Sequence, residues 1–231
     1  MLRYPPLSAE NYVRNRAAFA EAMSTGAMAL FSSNDIYPTS ADGTLPFRQD
    51  SNMLHLTGVD QEETVLLLFP NAHNPADREI LFVTETNAEI AIWEGAKLTK
   101  AEATAQTGIR HVQWIGNLER TIQRLVTECS CCYLHQNEHT RAKIVVETRE
   151  ARFNRWFCET YPQVRIQRAA PILHRTRSVK SAEEIERMRH ACGITRDGFN
   201  RVMNFLKPGV TEYEVEAEYL HEFVRKGSRG F

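Results

Sequence analysis

Thr64-Val65-Leu66-Leu67-Leu68-Phe69, closed by Pro70, constrains the fold more than any other segment of the chain. The run is apolar or β-branched throughout, and a strand buried on both faces reads this way. It is far too short to cross a bilayer. Residues 79–83 read as its hairpin partner across a turn at 71–77. Residues 27–31 read as a further short apolar strand. A helix is expected before it over 8–25, with Ser8 as its cap, Tyr12, Phe19 and Met23 near one face, and Gly26 as its stop. Residues 32–44 are rich in Ser, Asn, Asp, Pro and Gly and read as a loop. Residues 53–57, ended by Gly58, read as a strand.

Beyond Trp93 the periodicity changes. Helices are expected over 99–106 and 117–126, strands over 111–115 and 131–134, a long helix over 140–159 and a last strand over 164–168. Strands and helices interleave, so the expected fold class is α/β, a mixed central sheet flanked by helices. Residues 169–177 hold a proline and few periodic positions, and read as a boundary. Ser181 and Glu184 then form a capping box that opens a helix. Its Ile185, Met188, Cys192, Thr195, Phe199, Val202 and Leu206 make one apolar stripe at three-and-four spacing. Pro208-Gly209 ends it. Thr211 and Glu214 open a second amphipathic helix through Tyr219 and Phe223. Two such helices cannot bury both stripes without more partners. The expectation is a second domain that begins near Ser181 and is cut off.

The 231 residues are 42% hydrophobic and 25% charged, with a net charge of −1. That balance argues against disorder and exerts no pull towards nucleic acid or an anionic membrane. Residues 1–10 lack an apolar core of signal-peptide type, so a soluble, cytoplasmic protein is expected. Among the five cysteines, Cys129, Cys131 and Cys132 lie one apart and adjacent, not two apart as zinc knuckles need. With Cys158 and Cys192 they read as reduced and mostly buried.

Several motifs occur in a telling order. Phe47-Arg48-Gln49-Asp50 leads through Ser51-Asn52-Met53-Leu54-His55-Leu56 into Thr57-Gly58, then Glu62-Glu63-Thr64 and Glu89-Ile90-Ala91-Ile92-Trp93-Glu94-Gly95. Arg175-Thr176-Arg177-Ser178-Val179-Lys180-Ser181 continues into Ala182-Glu183-Glu184-Ile185, followed by Lys207-Pro208-Gly209 and His221-Glu222-Phe223. Each is weak alone. Together, in order, they resemble the aminopeptidase P group of the creatinase/prolidase-like metallopeptidase family, whose catalytic domain begins at the Arg-x-x-Lys-Ser-x-x-Glu-Ile signature.

The resemblance implies an N-terminal domain over 1–174 and, over 175–231, a linker and the first helices of an incomplete pita-bread domain. It implies a peptidase that removes the residue preceding proline from peptides with proline at the second position, and a homo-oligomer. It also implies two divalent metal ions, usually manganese, held by two Asp, one His and two Glu. Those ligands fall beyond the point matching Phe231, so no catalytic or metal residue is assigned here, no metal is expected on this chain, and the chain alone is expected to be inactive. A prolidase fragment and a non-catalytic binding module remain as alternatives.

Individual residues carry narrower readings. In some members of the family a tryptophan at the segment of Trp93 reaches the substrate site of a neighbouring subunit, and Trp93 is the candidate substrate-edge residue. Its bland reading is a partly buried aromatic closing a sheet edge. His135-Gln136-Asn137-Glu138-His139 matches the H-x-x-E-H zinc pattern. That pattern needs both histidines on one helical face, whereas here a strand precedes it and a loop follows, so it reads as a chance match. Arg48 reads as a buried structural anchor, His55 as a core-edge or surface residue, and Asp50 and Glu62-Glu63 as a solvated loop face.

Overall fold

The computed structural model describes residues 6–139, 141 and 145–228. The chain divides into two units, one running Ser8–Val179 and the other built from Lys180 onward. In the first unit the elements run α1 (Ala9–Glu21), β1 (Ala27–Ser32), α2 (Ser51–Thr57), β2 (Val65–Leu68), β3 (Glu79–Val83), α3 (Ala88–Glu94), α4 (Lys100–Thr107), β4 (His111–Trp114), α5 (Leu118–Leu125), β5 (Cys131–Leu134), α6 (Arg149–Thr160), β6 (Arg165–Arg168) and α7 (Ala170–Ser178). The strands form one mixed sheet in the order β4-β3-β2-β1-β5-β6. β2 runs antiparallel to both neighbours, and the other pairings are parallel. The hairpin expected between the runs at 64–69 and 79–83 is present, with Leu67 opposite Ile80.

Alternation along the strands builds two cores. Ala27, Ala29 and Phe31 of β1, with Leu66 and Leu68 of β2, join Phe19 of α1, Met53 and Leu56 of α2, Ala103 of α4 and Leu173 of α7. Met28 and Leu30, with Val65 and Leu67, face Ile122 and Leu125 of α5 and Phe157 of α6. Every residue of β1 and β2 is therefore buried, as their unbroken apolar sequence requires. Helices on both faces make this an α/β domain with three layers.

The structure corrects four local expectations. Residues 53–57 lie in α2, not in a strand. Asp50 caps that helix by accepting from the backbone N–H of Asn52 at 2.8 Å and Met53 at 2.9 Å, and a capped turn outweighs the short apolar run. Gly58 closes it with φ of +70°, and a Cβ there would meet the Tyr12 ring at 2.2 Å. The helix expected over 140–159 is α6, which begins at Arg149 because Thr148 caps it. Thr140 and 142–144 lie outside the described residues. The segment read as an aperiodic boundary is α7, with a proline in its first turn. Leu173 is 1% exposed, and Arg177 donates to Asn52 Oδ1 at 2.6 Å, so α7 belongs to the sheet unit. Arg48 is exposed. The buried arginine anchor is Arg16, which is 0% exposed, pairs with Glu79 at 3.1 Å and donates to the Leu56 carbonyl at 2.9 Å.

The second unit contains α8 (Ala182–Phe205) and α9 (Glu212–Arg225), joined through Pro208-Gly209. Glu184 accepts from the Ser181 N–H at 2.7 Å, completing the capping box expected there. Glu214 plays the same part for Thr211 at 2.8 Å. Ile194, Gly198 and Val202 are buried on α8, Phe223 is buried on α9, and Gly198 faces the Phe223 ring. The apolar stripe read from sequence is only partly a seam: Val202 is buried, while Met188 and Phe199 are more than half exposed. No helix among the described residues is long and apolar enough to cross a membrane.

The cysteines are free thiols, and Cys158 and Cys192 are exposed, so burial is less general than the sequence suggests. Cys131 and Cys132 lie in β5 at the centre of the packing. Burial pushes the Cys129 thiol up to about 11, which keeps it protonated and unreactive at neutral pH.

Candidate functional site

The sheet has one point where the strand order reverses. From β1 the chain moves outward through β2 and β3 to β4, then returns to place β5 on the other side of β1. In open α/β sheets the crevice outside the carboxyl ends of the strands at such a point is where ligands bind. Here β1 runs into Ser33 and Asn34, and β5 runs into His135. A cavity of about 600 Å³ opens there, lined by Asn34, Asp50, Asn52, residues 136–139, Thr148, Glu150 and the α7 residues Leu173, His174 and Arg177.

The loop carrying Phe47-Arg48-Gln49-Asp50 is tied to this edge by the side chains of Gln49 and Asn34. Gln49 Nε2 donates to the carbonyls of Val59 at 3.0 Å and Gln61 at 2.8 Å, while its Oε1 accepts from the Asp50 N–H at 2.8 Å. Asn34 Nδ2 donates to the Arg48 carbonyl at 2.9 Å. These bonds fix where Asp50 starts α2, and so aim its carboxylate at the end of β5.

His135 stands at the floor of the crevice. It is 2% exposed, its ring lies 5.5 Å from that of Phe31, and its carbonyl accepts from Asn154 Nδ2 at 2.9 Å. Its Nε2 faces Asp50 Oδ1 at 3.6 Å and Glu150 Oε2 at 3.4 Å. Glu150 comes from the first turn of α6, and its other oxygen accepts from the Asn137 N–H at 2.8 Å. The side chains of Asp50 and Glu150 are only 18% and 12% exposed. Asp50 is therefore not on a solvated loop face. His139, the second histidine of H-x-x-E-H, lies in loop and donates its N–H to Asn137 Oδ1, so the two histidines share no helical face. Sequence reasoning missed Glu150 altogether. Its one local signal is the position two residues after a capping threonine, which marks a helix start and says nothing of His135.

Trp93 is elsewhere in the unit. It lies near the end of α3 and is 86% exposed, with Ile92 at 76%. The partly buried sheet-edge reading is wrong: the segment is a helix capped by Asn87, and both large apolar side chains point outward. Lys97 anchors the exit from α3, pairing with Glu62 at 2.8 Å and Glu94 at 3.4 Å. Burial works against the charged form of Glu62, but the hydrogen bond and charge of Lys97 outweigh it and hold the carboxyl below its usual range. Glu62 is thus an ion-pair partner and not a solvated residue. His55 lies at the core edge, as expected, with Nδ1 at 3.3 Å from Asn15 Nδ2.

Comparison with known proteins gives two family matches. Residues 12–134 match the aminopeptidase P N-terminal domain, and residues 186–231 match metallopeptidase family M24. The chain is 30% identical to the Xaa-Pro aminopeptidase of Escherichia coli over 227 residues, 96% of this chain and 51% of that protein. It is 24% identical to human Xaa-Pro aminopeptidase 3 over 198 residues, 85% of this chain and 38% of that protein. Its structure is similar to Pseudomonas aeruginosa aminopeptidase PepP, with a TM-score of 0.83, 25% identity and 99% of this chain covered against 51% of that one. It is similar too to Zn-substituted E. coli aminopeptidase P in complex with product, with a TM-score of 0.81 and 27% identity over 97% of this chain and 51% of that one. The chain spans about half the length of these solved structures and of its E. coli relative. Among the described residues that match family M24, no three His, Cys, Asp or Glu side chains converge. The metals that family uses therefore have no fit in this segment, and no step through them is derived.

Proposed function

As the chain belongs to the aminopeptidase P N-terminal-domain family, we propose that it is the N-terminal portion of a metal-dependent Xaa-Pro aminopeptidase acting on peptides with proline at the second position. The observation that carries this reading is the order of two family segments in one chain, an aminopeptidase P N-terminal domain followed by an M24 segment. We place the boundary between the two domains at 179/180, because Leu173 of α7 lies in the core of the first unit and Arg177 bonds Asn52 of α2. When bound in a complete M24 domain, a divalent metal pair, with manganese the expected ion, supplies the activated water. The sheet unit supplies assembly and part of the substrate's surroundings.

Trp93 is the residue of this chain proposed to border substrate, in a neighbouring subunit of a cytoplasmic homo-oligomer. Its support is its exposure: an indole 86% open to solvent beside an exposed Ile92 is a ready contact surface. The test compares a protein that carries these residues with a complete M24 domain against the 231 residues alone. Metal-dependent release of the first residue from an Xaa-Pro peptide is expected from the former and not from the latter. Activity in the short chain, or its absence in the long one with metal supplied, overturns the reading. In the long protein, Trp93→Ala is expected to raise KM roughly 2- to 10-fold with kcat unchanged, the loss of one aromatic contact.

A further inference from the structure

We propose that Asp50, His135 and Glu150 form a site for one divalent transition-metal ion of the zinc class, built into the carboxyl edge of the sheet. The first argument is spacing. His135 Nε2 lies 3.6 Å from Asp50 Oδ1 and 3.4 Å from Glu150 Oε2. Both distances exceed the roughly 2.7–3.2 Å of an N–H···O hydrogen bond. Two ligands each about 2.1 Å from one ion at a tetrahedral angle lie about 3.4 Å apart. Each carboxylate is too far from the imidazole nitrogen to bond it and stands at the spacing of two ligands on one cation. Each offers a ligand atom, and all three atoms fall within 4.8 Å.

The second argument is the state of the histidine. His135 is 2% exposed, and its Nε2 has no hydrogen-bond partner. A buried ring nitrogen aimed at two carboxylates and bonded to neither calls for an explanation. Among the described residues no Lys or Arg pairs with Asp50 or Glu150, so two carboxyl side chains face one imidazole with no basic side chain between them. Asp50 is held by two backbone N–H groups of α2 and Glu150 by the Asn137 N–H. Such outer hydrogen bonds orient ligands before a metal arrives. The crevice above leaves room for water to complete the coordination. One imidazole with two carboxylates suits zinc or manganese better than magnesium, and zinc should bind more tightly than manganese.

The experiment is run on the whole chain after chelation and desalting. Titration with zinc chloride, followed by calorimetry and by metal analysis after gel filtration, is expected to show one retained equivalent. Manganese chloride should bind at least tenfold more weakly and give a protein-bound paramagnetic spectrum. Asp50→Asn and Glu150→Gln, which keep shape and hydrogen-bond acceptors, should each weaken zinc at least tenfold, whereas His139→Ala should not. The unaltered chain gives the stoichiometry even if a variant folds poorly, and circular dichroism reports the fold of each. Absence of stoichiometric zinc overturns the site. So does zinc binding that survives both carboxylate variants or is lost with His139→Ala.

Discussion

The sheet unit and the α8–α9 pair use the same kinds of residue to opposite effect. In β1 and β2 every side chain is buried, with Leu66, Leu67, Phe31 and Met28 at 0% exposure. On α8, Met188 is 54% exposed, Phe199 56%, Met203 71% and Leu206 58%. Local signals do not distinguish the regions, since both have well-capped helices. The difference lies in geometry. A strand presents two faces, and helices within the same unit cover both. A helix in a two-helix hairpin presents its full circumference, and one partner covers a single stripe. Stability in the first unit should follow side-chain packing, and in the second the seam alone.

The largest expected effect breaks that comparison most directly. Phe31→Ala removes a ring packed at 5.2 Å from Phe19 and 5.5 Å from His135. It should destabilise the sheet unit by about 3–5 kcal/mol in urea unfolding. Met203→Ala on α8 should change stability by less than about 0.5 kcal/mol. Equal effects from the two would mean that the outward face of α8 is covered in solution.

Acid sharpens the same contrast. Asp77 is 1% exposed, and Arg124 grips both its oxygens at 2.7 and 2.9 Å. That hydrogen bonding holds the Asp77 carboxyl below its usual range, against the opposing effect of burial. Its folded pKa therefore lies under the unfolded value of about 3.9. The stabilisation is complete above that value and is lost as pH falls through the folded pKa. Its size should be roughly 1–2 kcal/mol, at the low end because Arg124 is half exposed. A pH series from 6 to 2 should show this loss in the native protein and not in Asp77→Asn. A slope that is the same in both would place the acid sensitivity elsewhere.

The middle of the sheet was legible because β1 and β2 are nearly unbroken apolar runs, and the caps at Ser181 and Thr211 because their partner sits three residues on. The failures share one cause. Residues 51–57 carry a strand-like apolar run, but the tie through Gln49 and Asp50 decides the conformation, and that tie reaches Val59 and Gln61 through space. Arg48 looked like the anchor because it sits in the motif. The buried arginine is Arg16, whose partner Glu79 is 63 positions away. The crevice was less legible still. Asp50, His135 and Glu150 come from a helix cap, a strand end and a helix start, and only the reversal of strand order at β1 and β5 brings them together. No local period encodes that.

Two glycines five positions apart on α8 give the smallest effect and the finest test. Both have helical backbone, so strain plays no part. A Cβ on Gly193 would meet nothing within 4 Å, whereas one on Gly198 would lie 2.8 Å from Phe223 Cε1 and 3.2 Å from Tyr219 Cδ1. Gly193→Ala should stabilise the helix by about 0.5–1 kcal/mol through backbone entropy alone. At Gly198 the same gain is opposed by crowding against a ring that is 4% exposed and cannot swing outward without opening the seam. The net should be a loss of about 1 kcal/mol. Hydrogen exchange of the α8 and α9 amides measures both, because the effect stays within that pair. A stabilising Gly198→Ala would show that Phe223 yields readily and that the seam is loosely packed. Opposite signs at the two positions would show that the hairpin packs closely along one stripe and nowhere else.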